Sequence, residues 1–203
     1  MLQINTIQPS TLELLINLQK IELLKSTRLI GGTALALLLG HRLSIDLDLF
    51  GSVEGDSNAI SECLRDAGFE VVMTENTKNI HIFTINGVKV DIVNYKYAWI
   101  EDLIEENGIR LAGLKDIAAM KIAAITNRGS RKDFVDIYFL LNHFSLKEIM
   151  DLYLKKYPDA SSFLAYKSLA YFADAESQVM PKMLIETHWE NVKQRIITEI
   201  KQM

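Results

Sequence analysis

The chain has 203 residues, 49% of them hydrophobic, and a formal net charge of −4. That is enough apolar material for one or two ordinary cores, and the acidic balance argues against a protein that coats nucleic acid, although a local basic stripe can coexist with it. The longest apolar run, Leu29 to Leu39, is broken by two glycines and is too short to span a bilayer. No basic segment opens the chain as in a secretory signal. The single Cys63 leaves no internal disulfide and suits a reducing cytoplasm. His41, His81, His143 and His188 show no paired spacing for a zinc site.

Ser10 and Glu13 have the spacing of a capping box and predict an opening helix to about Lys25. Leu29 and Ile30 then predict a short strand, Gly31 and Gly32 a tight turn, and Thr33 the N-cap of a helix running to Leu39. A strand that turns through bare glycines into a helix offers backbone N–H groups and the positive end of the helix dipole to a phosphate.

From Ile45 to Leu49 the period is two, which predicts a strand with Ile45, Leu47 and Leu49 on one face and Asp46 and Asp48 on the other. Two carboxylates about 6.6 Å apart on one face repel each other unless a cation lies between them. Mg²⁺ suits such hard ligands, because it takes one or two carboxylates and completes its shell with water and phosphate oxygens. A solvated strand face explains the acids alone, and a tight turn explains the glycines alone. An alternating acid string of this kind arises about 0.4 times by chance at this composition, and with a glycine pair just upstream about 0.005 times, so the combination points to a metal–nucleotide site.

A second helix is predicted over Ser57 to Ala67, stopping at Gly68, followed by a strand over Phe69 to Thr74. Asn86-Gly87 predicts a hairpin between Ile80–Ile85 and Val88–Val93. In its second strand Asp91 lies off the apolar face formed by Val88, Val90 and Ile92, where acids of another strand could meet it; taken alone, it is a surface acid. From Leu114 the period is helical almost to the end, with Ser145/Glu148 and Thr187/Glu190 as capping boxes and Pro158 and Pro181 as breaks. Leu114, Ala118, Lys121, Ile125 and Arg128 share one helical stripe. Lys121 either snorkels along its stem to water or faces a cleft and meets phosphate oxygens as a point charge.

Arg131 and Lys132 open a helix at the end that disfavours cations, and a Lys132/Asp136 pair at i,i+4 beside Asp133 reads as a surface charge cluster. Arg42 either reaches a phosphate or is solvated. The expected fold is α+β, with a mixed-sheet domain over residues 1–107 followed by a C-terminal helical bundle over 108–203 that completes the cleft.

Ile30-Gly31-Gly32, then Asp46-Leu47-Asp48-Leu49, then Val90-Asp91-Ile92 together resemble the signature of the polymerase-β-type nucleotidyltransferase superfamily. Within it, GGTAL, the string HRLSIDLDLF over 41–50 and the string KIAAITNRGSRKDFVDIYFLL over 121–141 are similar to the AbiEii/AbiGii-type nucleotidyltransferases, which include toxins of toxin–antitoxin and phage-abortive systems. The resemblance implies transfer of an NMP from an NTP to a hydroxyl acceptor, with Asp46, Asp48 and Asp91 catalytic and ligating one or two Mg²⁺ ions. It implies that Gly31, Gly32, Thr33 and Lys121 hold the triphosphate, with Arg42 a candidate beside them, and favours Asp133 and Asp136 on the nucleotide or acceptor side of the cleft with their roles unassigned. It suggests RNA as acceptor, particularly a tRNA 3′ end, and a cognate antitoxin as partner. Two alternatives stay open: a catalytically silent nucleotide-binding or antitoxin-like protein, and an aminoglycoside-type nucleotidyltransferase.

Overall fold

A mixed seven-stranded sheet organises the first half of the chain in a computed structural model that describes residues 1–202. The strands are β1 (Arg28–Ile30), β2 (Leu47–Gly51), β3 (Val71–Asn76), β4 (Ile80–Ile85), β5 (Val88–Asn94), β6 (Ile104–Glu106) and β7 (Ile109–Leu111), in the order β3-β4-β5-β2-β1-β7-β6. β2 runs parallel to β5 and β1 parallel to β7, and the other neighbours are antiparallel. With α1 (Pro9–Lys20), most of α2 (Gly31–Leu39) and α3 (Ser57–Asp66), the sheet forms one compact unit of residues Met1–Leu38, Ser44–Lys96 and Leu103–Ala112. Its core includes Leu15, Leu35, Leu47, Leu49, Phe83, Val90 and Ile92, all fully buried. The α+β fold with a mixed sheet is as expected.

Two Asn-Gly turns build this sheet. Asn86 and Gly87 both have positive φ (49° and 80°), the pairing that a two-residue hairpin requires. Asn107 and Gly108 repeat it (54° and 74°) between β6 and β7, a hairpin missing from the expected bundle boundary at 107/108. The first unit therefore continues to Ala112, because β7 pairs with β1 and the Ala112 N–H donates to the Leu29 carbonyl at 3.0 Å.

Other boundaries move for local reasons. α1 starts on Pro9, whose fixed φ and missing N–H suit the first helical position, so the Ser10/Glu13 box goes unused. β2 begins only at Leu47. Upstream, the Ser44 N–H is held by the Thr6 carbonyl and the Thr33 hydroxyl donates to the Asp46 carbonyl, so Ile45 is 62% exposed rather than in the core. β3 starts late, at Val71, because the Phe69 N–H closes onto Leu64 past the left-handed Gly68 and the Glu70 N–H is taken by the Asn86 side chain.

The second unit comprises Leu39–Leu43, Tyr97–Asp102 and Gly113–Met203. Helix α4 (Leu114–Asn127) is its axis, packed by α5 (Arg131–Leu140), α6 (Leu146–Lys156) and α7 (Ser162–Leu169); the short α8 (Ala173–Glu176) follows, and α9 (Trp189–Lys201) lies on α5. The Ser145/Glu148 capping box forms as expected. The Thr187/Glu190 box does not, since the Thr187 hydroxyl turns back to the Ile185 carbonyl and His188 takes the N-cap position.

Both excursions that join this unit are pinned by buried charge. Asp116 accepts the Ile100 and Glu101 N–H groups and pairs at 2.6 Å with Lys156, which also donates to the Ala98 carbonyl and lies over the Trp99 ring. Among the described residues no helix is long and apolar enough to cross a membrane.

Candidate active site

β2 and β5 decide where the acids stand. Their parallel register sets Asp48 directly beside Asp91, while Leu47/Val90 and Leu49/Ile92 pair as buried neighbours on the opposite face. Adjacent strands are about 4.8 Å apart, so the two acids stand on neighbouring backbone positions rather than two residues apart on one strand. Asp46 precedes β2 and is held by its own carbonyl, which accepts the Thr33 hydroxyl. Asp91 is already paired at 2.6 Å with Lys89, its same-face neighbour on β5.

The glycine turn borders this pair. β1 leads directly into α2 at Gly31, whose φ is +70°. A Cβ placed on Gly31 would lie 2.2 Å from Asp48 Oδ2, so the carboxylate rests against bare backbone at the start of the helix. A carboxylate there is favoured by the helix dipole. Thr33 departs from the expected N-cap: it is buried inside the first turns, and its hydroxyl bonds Ser44 at 2.8 Å as well as the Asp46 carbonyl. Its side chain anchors the acid-bearing segment.

Among the described residues no three His, Cys, Asp or Glu side chains converge closely enough to hold an ion alone. The Asp48/Asp91 pair nevertheless fits Mg²⁺, which uses one or two carboxylates and draws its other ligands from water and substrate phosphate.

In the helical unit, Arg42, His41, Lys121, Asp133 and Asp136 form a buried cluster. Asp136 is fully buried and receives Arg42 in a two-pronged pair (Nε at 2.7 Å, Nη2 at 2.9 Å), His41 Nε2 at 2.9 Å and Lys121 Nζ at 2.5 Å. Lys121 also donates to Asp133 at 2.9 Å, and Asp133 accepts the Ser130 hydroxyl. The expected surface cluster at Asp133 and Asp136 is thus an interior one, and Lys121, 5% exposed, neither snorkels nor stands free to meet a phosphate. The physical reason is charge balance: two cations face two carboxylates, which offsets the cost of burying each.

Arg42 likewise spends its guanidinium on Asp136 and its Nη1 on the Leu43 carbonyl. Arg131, at the helix end that disfavours it, reaches the Ala175 and Glu176 carbonyls and lies over Trp189.

Burial alone would raise the Asp136 carboxyl, but the charges of Lys121 and Arg42 and the hydrogen bonds from His41 and Arg42 hold it well below its ordinary value. Asp133 is lowered in the same way, against its burial, by Lys121 and Ser130. Lys121 would be lowered by burial, yet Asp136 and Asp133 raise it. For His41 burial wins and lowers the imidazole despite Asp136, and its Nδ1 is buried without a partner. His41 and Asp136 carry no local sequence signal for this role, since they lie 95 positions apart.

A strand–glycine–helix turn beside in-register strand acids, on a mixed sheet, places the chain among the nucleotidyltransferases. A family model described as "Nucleotidyl transferase AbiEii toxin, Type IV TA system" matches residues 13–202; the chain belongs to that family. The uncharacterized protein aq_aa25 of Aquifex aeolicus (strain VF5) is 39% identical over 180 residues, 86% of each chain. Two solved structures share the fold. One, the "putative nucleotidyltransferase from H. pylori", has a TM-score of 0.64 at 17% identity, covering 96% of this chain and 95% of that one. The other, JHP933 from Helicobacter pylori, has a TM-score of 0.57 at 17% identity, covering 97% and 92%.

Two predictions follow from this geometry. Gly31→Ala puts a methyl group against Asp48 and into a left-handed backbone, so nucleotidyl transfer should fall about 100-fold, the cost of displacing a reacting group by roughly 1 Å. Thermal unfolding should show the variant still folded; wild-type turnover would contradict the close approach. Stability should also decline as pH falls. Below about 6.5 the unfolded chain protonates His41 while the folded protein resists, and a second decline begins near pH 4, where Asp133 and Asp136 protonate when unfolded but stay ionised when folded. Urea midpoints across pH 3–8 should show both steps in the wild type and a smaller upper one in His41→Gln, where His81, also lowered by its burial, remains.

Proposed function

We propose that this chain moves an NMP from a Mg²⁺-bound NTP to a hydroxyl of RNA. The observation that carries the reading is the Asp48/Asp91 pair, set side by side by the β2/β5 register and bordered by Gly31. Bound Mg²⁺ would neutralise phosphate charge and orient the triphosphate, and Asp48 and Asp91 are the residues to hold it. The N–H groups of Gly31 and Gly32 receive phosphate oxygens at the start of α2.

Asp91 takes the proton of the acceptor hydroxyl as its oxygen bonds to the α-phosphorus; the α–β P–O bond breaks and pyrophosphate leaves. Lys89 holds the Asp91 carboxylate until substrate arrives. The buried cluster around Asp136 serves as framework, keeping Arg42 and Lys121 fixed. Membership of a toxin family supports an acceptor needed by every growing cell, which favours RNA over an antibiotic, and supports a cognate antitoxin as partner.

Incubation with each labelled NTP, Mg²⁺ and total RNA, protein or an aminoglycoside tests this. Label should enter RNA, and Asp48→Asn and Asp91→Asn should lower incorporation by about 10²–10⁴-fold with unfolding temperatures close to wild type. Full activity in Asp91→Ala would remove its role as base, and label in protein or aminoglycoside alone would overturn the RNA acceptor.

A further inference from the structure

The C-terminal end of α4 and residues of α7 line a shallow, open groove of about 330 Å³ that belongs to neither the acid pair nor the buried cluster. Arg128, Gly129, Leu164, Lys167, Tyr171 and Asp174 line it. Tyr171 is 56% exposed and Leu164 48%, with Phe163 beside them at 76%, a concentration of bare apolar surface that packing does not explain. Arg128 and Lys167 are exposed at its edges. Each sits at a helix C-terminus, where the dipole alone would favour a cation. The dipole does not account for the exposed Tyr171 ring that lines the same groove.

We infer that this groove holds a single-stranded segment of the nucleic-acid acceptor, a reading that rests on RNA being the acceptor. Tyr171 offers a face on which a base stacks, and Arg128 and Lys167 meet the phosphates on either side. The charge pattern favours a strand over other anions. Two cations with Asp174 close by leave one net positive charge, which suits single phosphates separated by bases rather than a compact triphosphate. An acidic peptide would engage the cations but leave the ring without a planar partner. The overall charge of −4 is no obstacle, because the positive groups are local to this face. Arg128 caps the C-terminal end of α4, seven residues beyond Lys121 of the buried cluster.

Fluorescence anisotropy of the full chain with a labelled 12-nucleotide RNA, at two salt concentrations, tests the assignment. Arg128→Glu/Lys167→Glu should weaken binding at least 10-fold and reduce the salt slope by about two. Tyr171→Ala should weaken it about five- to 100-fold with the slope unchanged. NTP affinity and the circular dichroism spectrum should match wild type in all variants. Wild-type RNA binding and labelling in every variant would overturn the groove while leaving RNA as acceptor. Failure of the wild-type protein to label any RNA would overturn the acceptor reading, and the groove with it. Equal binding of polyglutamate, lost in the charge variant and indifferent to Tyr171, would make this a protein-docking surface and overturn the inference.

Discussion

Two carboxylates side by side on neighbouring parallel strands are the constraint on which the rest of this structure turns. Like charges on adjacent strands repel, and Lys89 pairs with Asp91 at 2.6 Å. The fold nevertheless fixes the pair: Leu47, Leu49, Val90 and Ile92 are fully buried behind it, so shifting the register would move a row of core side chains to the surface. Hydrophobic burial holds the acids in a position that electrostatics alone would relax. The divalent ion proposed for this pair would relieve that repulsion.

The glycine turn belongs to the same arrangement. Gly31 is required twice, for a backbone with φ of +70° and for the space that the Asp48 carboxylate occupies. Gly51, at the far end of β2, is required once: a Cβ there would lie 2.4 Å from the Ser26 carbonyl oxygen, so only glycine lets the chain before β1 pass this closely. The helical unit solves a different problem. The cluster around Asp136 balances two cations against two carboxylates, with Asp136 as the shared partner of Arg42, His41 and Lys121. Breaking such a pair from one side typically costs 3–5 kcal/mol, whereas its intact form adds little net stability. The cluster therefore specifies geometry more than it adds stability, fixing α4, α5 and the Leu39–Leu43 excursion to one another.

What could be read from the sequence was local. The Asn86-Gly87 hairpin, the strand-to-helix turn at Gly31 and the Ser145/Glu148 cap each depend on residues within a few positions, and each is present. The Asn107-Gly108 hairpin carried the same signal and was overshadowed by the helical period that follows. Asp48 beside Asp91 was anticipated as a meeting of acids, but the register that makes them neighbours is a non-local property of the sheet. Lys121, Asp133 and Asp136 show why the charge pattern misled. An i,i+3 acid pair beside two cations has the spacing of a solvated face, and only the arrival of Arg42 and His41 from 94 and 95 positions away makes it an interior. Ile45 failed for the opposite reason, because side-chain and loop bonds at Ser44 and Asp46 overrode an alternating pattern.

The central claim is that Asp48 and Asp91, with Gly31 beside them, form the seat of a nucleotide-bound divalent ion. Paramagnetic broadening by Mn²⁺ reads this directly, using isotopically labelled protein and a non-hydrolysable NTP in metal-free buffer. At substoichiometric Mn²⁺ the account predicts loss of the Gly31, Gly32, Asp48 and Asp91 amide signals first, with nucleotide affinity strongly dependent on the ion. Broadening centred elsewhere, or equal nucleotide affinity with and without the ion, would contradict it.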